Sequence, residues 1–100
     1  QSVPAELLSV EDLEGMEGVL KINFSKVKLV PGIDIVSFLA DTAIFPSKGE
    51  ARKTVQGGGV SINRKKAEEI DLKIDSSFLL HDKYLLVQKG KKNHFLVRCL

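Results

Sequence analysis

Ser47-Lys48-Gly49-Glu50-Ala51-Arg52-Lys53-Thr54-Val55-Gln56-Gly57-Gly58-Gly59-Val60-Ser61-Ile62-Asn63 holds a helix start, a basic helical face, a glycine stop and the opening of a strand. Ser47 followed three residues later by Glu50 fits a capping box, in which each side chain satisfies an orphan amide at the helix N-terminus. Ala51 and Val55, four apart, form an apolar seam, while Lys48, Arg52 and Gln56 repeat at the same interval on another face. Gly57, Gly58 and Gly59 end the helix, because glycine enters left-handed backbone freely. Val60 and Ile62 alternate with Ser61 and Asn63, the two-residue period of a strand with one buried face. A helix that buries one stripe and shows cations on another suits a polyanion.

The chain around this stretch has 100 residues, enough for one domain with a modest core. Its 43% hydrophobic and 28% charged residues are ordinary for a folded domain and argue against disorder. No apolar run reaches the ~18 residues of a membrane span, and no signal peptide is visible. Gln1 in place of an initiator methionine points to a fragment or processed product, from which a targeting segment could already be gone. The single cysteine, Cys99, excludes an internal disulfide framework and a cysteine zinc site, and is compatible with a reducing compartment. The net charge of +2 conceals an asymmetry: residues 1–46 carry three Lys/Arg against seven Asp/Glu, net −4, and residues 47–100 carry twelve against six, net +6. Cations gathered in one half favour nucleic acid, ahead of an anionic membrane surface.

Upstream, residues 3–18 read as helical pieces, with Pro4 at a first helical position and Leu7 and Leu8 docking on a neighbour. Ser9 and Asp12 form a second capping signal before Leu13 and Met16, and Met16 reads as core. Glu11, Asp12, Glu14 and Glu17 read as a solvated acidic face. Leu20 and Ile22, then Val27 and Leu29, alternate with polar residues and predict one or two short strands. After Pro31-Gly32, Asp34 caps a helix whose Ile35, Phe38, Leu39 and Thr42 share one face. Ala43 to Pro46 then lead into Ser47, which makes a compact helix-turn-helix-strand unit. Arg64-Lys65-Lys66 reads as a basic turn, and Leu72 and Ile74 as another short strand. Residues 84–88 and 94–98 are strand-like runs joined by Lys89-Gly90-Lys91-Lys92-Asn93, a hairpin with a cationic tip.

Catalytic patterns are missing. The triple glycine has no G-K-[ST] after it and follows a helix, so it reads as a helix stop and not a phosphate loop. His81 and His94 lack metal-ligand spacing, and His94 reads as half-buried or RNA-facing. Cys99 has no Cys-His pattern to support it as a nucleophile.

Ser47-Lys48-Gly49-Glu50-Ala51-Arg52 with Gly58-Gly59-Val60-Ser61-Ile62-Asn63 resembles the RNA-binding module named after the fourth small-subunit ribosomal protein. That module reads S-x-x-E-A-R, then G-G-V-x-[IV]-N, and occurs in ribosomal proteins, pseudouridine synthases and stress proteins. The end of the chain, Lys89-Gly90-Lys91-Lys92-Asn93-His94-Phe95-Leu96-Val97-Arg98, is similar to the closing hairpin of bacterial-type and mitochondrial tyrosyl-tRNA synthetases. The Glu6-Leu7-Leu8 segment and the helix from Asp34 also fit that family, so the resemblance runs from about Pro4 to Arg98. It implies a tRNA-binding C-terminal domain detached from its catalytic body.

The resemblance and the local signals together predict an α+β fold, with a two-helix RNA-binding module on a small mixed or antiparallel sheet, an N-terminal helical segment and a C-terminal β-hairpin. Residues 1–100 form a single tRNA-binding domain, 1–30 a lead-in and 31–100 the module with its hairpin. The implied function is to position tRNA(Tyr) for aminoacylation by a catalytic domain absent from this chain, whose H-I-G-H-like and K-M-S-K-S-like motifs would lie upstream. The fragment itself is then no enzyme and needs no cofactor; ATP and tyrosine belong to the parent ligase. The implied partner is tRNA(Tyr), with no membrane, an isolated domain that is a monomer and a parent that is a homodimer. The resemblance carries the RNA-facing role onto Ser47, Lys48, Arg52, Lys53, Asn63 and the hairpin lysines Lys89, Lys91 and Lys92. Charge adds Arg64, Lys65 and Lys66, and helical spacing adds Gln56.

Two departures from the family pattern stand out: Gly57 where a longer polar side chain is usual, and Arg64 where glycine usually follows the asparagine. With the non-aromatic Cys99 they tilt the reading to a mitochondrial matrix enzyme, with the bacterial cytoplasm as the alternative. Other readings left open are a free-standing or ribosome-associated RNA-binding module of the same fold, and a protein-interaction domain using the apolar N-terminal segment.

Overall fold

Each predicted cap marks a helix in the computed structural model, which describes residues 7–90 and 93–100. Pro4, Lys91 and Lys92 therefore lie outside the described residues. Ser9 and Asp12 make the reciprocal capping box of α1 (Val10–Glu14). Asp34 starts α2 (Ile35–Asp41), where Ser37 N donates to its carboxylate at 2.9 Å. Ser47 starts α3 (Lys48–Gln56), where its Oγ accepts from Glu50 N at 3.2 Å. The turn between α2 and α3 is closed by Phe45 N on Leu39 O and by the buried Thr42 hydroxyl, which donates to Phe38 O.

A mixed five-stranded sheet runs in the order β1-β7-β6-β3-β4. Its strands are β1 (Val19–Phe24), β3 (Val60–Ile62), β4 (Lys65–Ala67), β6 (Tyr84–Lys89) and β7 (Asn93–Cys99). The predicted hairpin is β6–β7, and β1 adds to its outer side in parallel, with Val19 opposite His94 and Phe24 opposite Cys99. A separate pair, β2 (Ile33–Asp34) with β5 (Lys73–Ile74), braces the start of α2. This is the α+β arrangement expected.

The two sheet faces are covered differently. On one, Val60, Ile62, Leu85, Val87, Phe95 and Val97 pack with Ile35, Phe38 and Leu39 of α2 and the Ala51–Val55 seam of α3. On the other, Tyr84, Leu86 and Leu96 pack with Leu13 of α1 and with Leu80. Glu14 closes this second core. Its carboxylate accepts from Arg98 Nη2, from Arg98 Nε at 3.1 Å and from the Tyr84 hydroxyl at 2.6 Å, with Lys21 Nζ 3.4 Å away. The Arg98 and Tyr84 hydrogen bonds hold the Glu14 carboxyl down to about 2. Glu14 is therefore no part of a solvated acidic face.

Two other local readings change. Val27 and Leu29 lie in a 3₁₀ turn, Lys26–Leu29, and not in a strand. Lys28 N and Val30 N close short bonds on Ser25 O and Val27 O, which leaves Leu29 buried and Val27 exposed. Of the three glycines after α3 only Gly58 is left-handed, at φ +75°; Gly57 stays near helical values at −82°. Gly59 is needed for space, because a Cβ there would sit 2.8 Å from Thr54 Cγ2.

Candidate nucleic-acid interface

Burying Ala51 and Val55 turns the rest of α3 outward. Lys48, Arg52, Lys53 and Gln56 are all exposed. Among the described residues Lys48, Arg52 and Lys53 form no ion pair; Lys48 only adds to the field that holds the Asp34 carboxyl down. Ser47 is exposed, with its hydroxyl committed to the cap.

The second group of cations sits where α3 hands over to the sheet. Asn63 and Arg64, at φ +51° and +68°, form the two-residue loop of the β3–β4 hairpin, with Ile62 opposite Lys65 and Ser61 opposite Lys66. Both central residues with positive φ define the primed turn that suits strand twist. Lys65 and Lys66 thus belong to a strand and not to a basic turn. The Lys66 stem passes the end of α3: a Cβ on Gly58 would lie 3.5 Å from Lys66 Cδ and 3.6 Å from its Nζ. The Glu68 carboxylate reaches the same place, its Oε2 3.6 Å from that Cβ, so the ammonium shares the end of α3 with an acid. Arg64, Lys65 and Lys66 are exposed, so the helix face and the hairpin cations adjoin at Gly58.

Asn63 does not join them. It is buried, its Nδ2 donates to Phe78 O at 2.6 Å and its Oδ1 accepts from Leu86 N at 3.0 Å. Both ends of the amide serve the fold, tying the β3–β4 loop to β6 and to the Ser76–Phe78 turn, which removes Asn63 from the surface. Lys89 is also diverted. Its Nζ donates to Ile44 O at 3.1 Å and lies 4.5 Å from the centre of the Phe45 ring, pinning the β6–β7 hairpin to the α2–α3 turn.

The remaining chemistry is structural. Burial pushes the Cys99 thiol up to about 11, so it carries no thiolate at neutral pH. His81 Nε2 is 2.6 Å from Leu8 O, which leaves that ring engaged with backbone. Among the described residues no three His, Cys, Asp or Glu side chains group as metal ligands, and no helix is long and apolar enough to cross a membrane. Sequence reasoning gave no role to Gln88. It shares a face with Ser61, Lys66 and His94, a grouping that only strand register reveals.

Comparison with known proteins bears on the family and the fold. The chain is 55% identical over 82 residues to a tyrosine–tRNA ligase of Parabacteroides distasonis, covering 81% of this chain and 19% of that protein. It is 37% identical over 94 residues to tyrosine–tRNA ligase 1 of Enterococcus faecalis, covering 93% and 22%. The chain thus spans about a fifth of the length of these relatives. They are bacterial, and the tilt towards a mitochondrial enzyme finds no support in them. The fold matches a solution structure of a tyrosyl-tRNA synthetase C-terminal domain with a TM-score of 0.72 at 22% identity, over 100% of this chain and 98% of that one. Residues 14–97 match the family described as the tyrosine–tRNA ligase SYY-like C-terminal domain, and the chain belongs to that family.

Proposed function

We propose that the chain is the tRNA-binding appended domain of a bacterial tyrosine–tRNA ligase. In this reading it holds tRNA(Tyr) for aminoacylation by a catalytic domain outside this sequence, where ATP and tyrosine are used. The domain acts as a monomeric unit within a homodimeric, cytoplasmic parent. The observation that carries the reading is the exposed cationic face of α3, Lys48, Arg52 and Lys53, adjoining the Arg64–Lys66 hairpin at Gly58.

Such a surface grips phosphate more than base edges. Arg52 presents a planar fork suited to two phosphate oxygens, while Lys48 and Lys53 act as point charges. Because α3 is fixed by its buried seam, these groups are held in place before RNA arrives, which lowers the ordering cost of binding. Recognition of this kind follows RNA shape. Affinity should fall with salt at a log–log slope of roughly −0.7 to −0.9 per phosphate neutralised.

The test is a filter-binding titration of tRNA(Tyr) against the chain and against Arg52→Ala/Lys53→Ala. The double variant should bind at least about tenfold more weakly, with a shallower salt slope and an unchanged melting curve. Equal affinity at low salt would remove α3 as the RNA-binding face.

A further inference from the structure

The sheet face opposite α3 is only partly covered. Leu13 of α1 and the Glu14 network close it over Tyr84, Leu86, Leu96 and Arg98. Beyond them a cleft of about 230 Å³ remains, lined by Met16, Arg64, Leu86, Val87, Gln88 and His94. Strand register builds its polar edge from Gln88 and His94, which stand opposite one another on β6 and β7 in a row that continues through Ser61 of β3 and Lys66 of β4. Residues directly opposite across a sheet share a face, so this row and the Val60/Ile62 row that meets α3 point in opposite directions.

The lining has two chemistries. Leu86 and Met16 offer an apolar floor, Met16 with a polarisable sulfur that adapts to flat rings. Around that floor stand a carboxamide, an imidazole and a guanidinium. Gln88 Nε2 donates to Gly90 O at 3.0 Å, which orients the carboxamide and leaves its oxygen as an acceptor. The His94 ring makes no hydrogen bond to another described residue. An apolar floor for a planar ring, hydrogen-bonding groups at its rim and a cation beside it match one unpaired nucleotide, with its base on the floor and its phosphate toward Arg64. A paired base offers neither its flat face nor its inner edge and would not enter.

We infer that this cleft is a second RNA site, which takes a single unstacked nucleotide while α3 holds neighbouring backbone. The inference rests on the tRNA-binding reading above and adds a contact on the far side of the sheet. The Arg64–Lys66 hairpin links the two surfaces, since it adjoins α3 at Gly58 and supplies Arg64 to the cleft.

Anisotropy titrations of the 100-residue chain with a labelled single-stranded RNA and with a blunt RNA duplex test it. Gln88→Ala/His94→Ala should lose about tenfold affinity for the single strand and none for the duplex. In wild-type protein the His94 imidazole NMR signals should shift with the single strand and stay put with the duplex. Undiminished single-strand affinity in the double variant, or His94 signals indifferent to the single strand, overturns the inference. If the double variant fails to fold, the His94 signals of the wild type decide alone. Arg52→Ala/Lys53→Ala separates the two readings. Weakening of both RNAs supports α3, whereas no weakening of either, with the Gln88/His94 effect intact, removes α3 and keeps the cleft.

Discussion

α1 and α3 begin alike and end in opposite roles. Each starts at a serine whose hydroxyl accepts from the amide three residues on, and each buries an apolar side, Leu13 in one and Ala51 with Val55 in the other. Each also carries charges of one dominant sign. In α1 the last acid, Glu14, meets Arg98, Tyr84 and Lys21 and is consumed in fixing the helix to the sheet. In α3, among the described residues, no acid pairs with Arg52 or Lys53, and Lys48 forms no ion pair, though its charge helps to hold the Asp34 carboxyl down. A charged helix face becomes structural or available to a partner according to what the tertiary fold brings opposite it.

The widest separation of these roles comes from the buried anchor of α1. Leu13 is fully buried, and Leu13→Ala should cost about 2–5 kcal/mol in urea unfolding. Below its melting transition the variant should bind tRNA as the wild type does. Weaker tRNA binding by the folded variant would make α1 part of the interface and erase the contrast.

Arg52→Ala/Lys53→Ala is the mirror image. Two exposed cations that form no ion pair with the described residues should leave stability within about ±0.5 kcal/mol while affinity drops about tenfold or more. A lowered melting temperature would show that these cations brace the fold, as Glu14 does. Next in size is Ser47→Ala, which removes the cap of α3 and should cost about 1 kcal/mol. It should weaken tRNA binding only through fraying of the first turn, so Lys48 should lose more of its contribution than Lys53. RNA protection of the two lysines from acylation would measure this, and equal loss at both would argue against it.

How much of this was legible depends on sequence distance. α2, α3, β3 and the β6–β7 hairpin follow from caps, spacing and turn residues lying within a few positions of one another. The Glu14–Arg98 contact spans 84 residues and the Glu14–Tyr84 contact 70, and no local pattern announces either. Asn63 misleads for a related reason. Alternation put it opposite Ile62 on an exposed face, but the chain turns at Asn63 and folds the amide inward onto Leu86 and Phe78. Lys89 looked like a projecting cation until the hairpin folded it back onto Ile44 and Phe45, 45 and 44 positions away in the chain. For the candidate interface, the cations of α3 could be read from spacing alone. The Gln88–His94 edge needed the register of four strands.

The smallest effect at neutral pH is the titration of Glu14, and it tests the structural side of the comparison most directly. Its carboxyl is held down to about 2, against an ordinary value of 4.5, chiefly by the Arg98 hydrogen bonds and then by the Tyr84 hydroxyl. A depressed folded-state value means that the unfolded chain takes up the proton first as pH falls. The stability contributed by this carboxylate is therefore fully present above about 4.5 and drains away as pH drops towards about 2. Glu14→Gln keeps the shape and discards the charge. The gap in melting temperature between wild type and this variant should be constant from neutral pH down to about pH 5, then shrink in more acidic buffer. A gap that stays the same down to pH 2 would mean that the carboxylate charge is not what locks α1 to Arg98. Glu14 would then be held there by packing, and the difference between the two helices would lie in their apolar seams and not in what meets their charges.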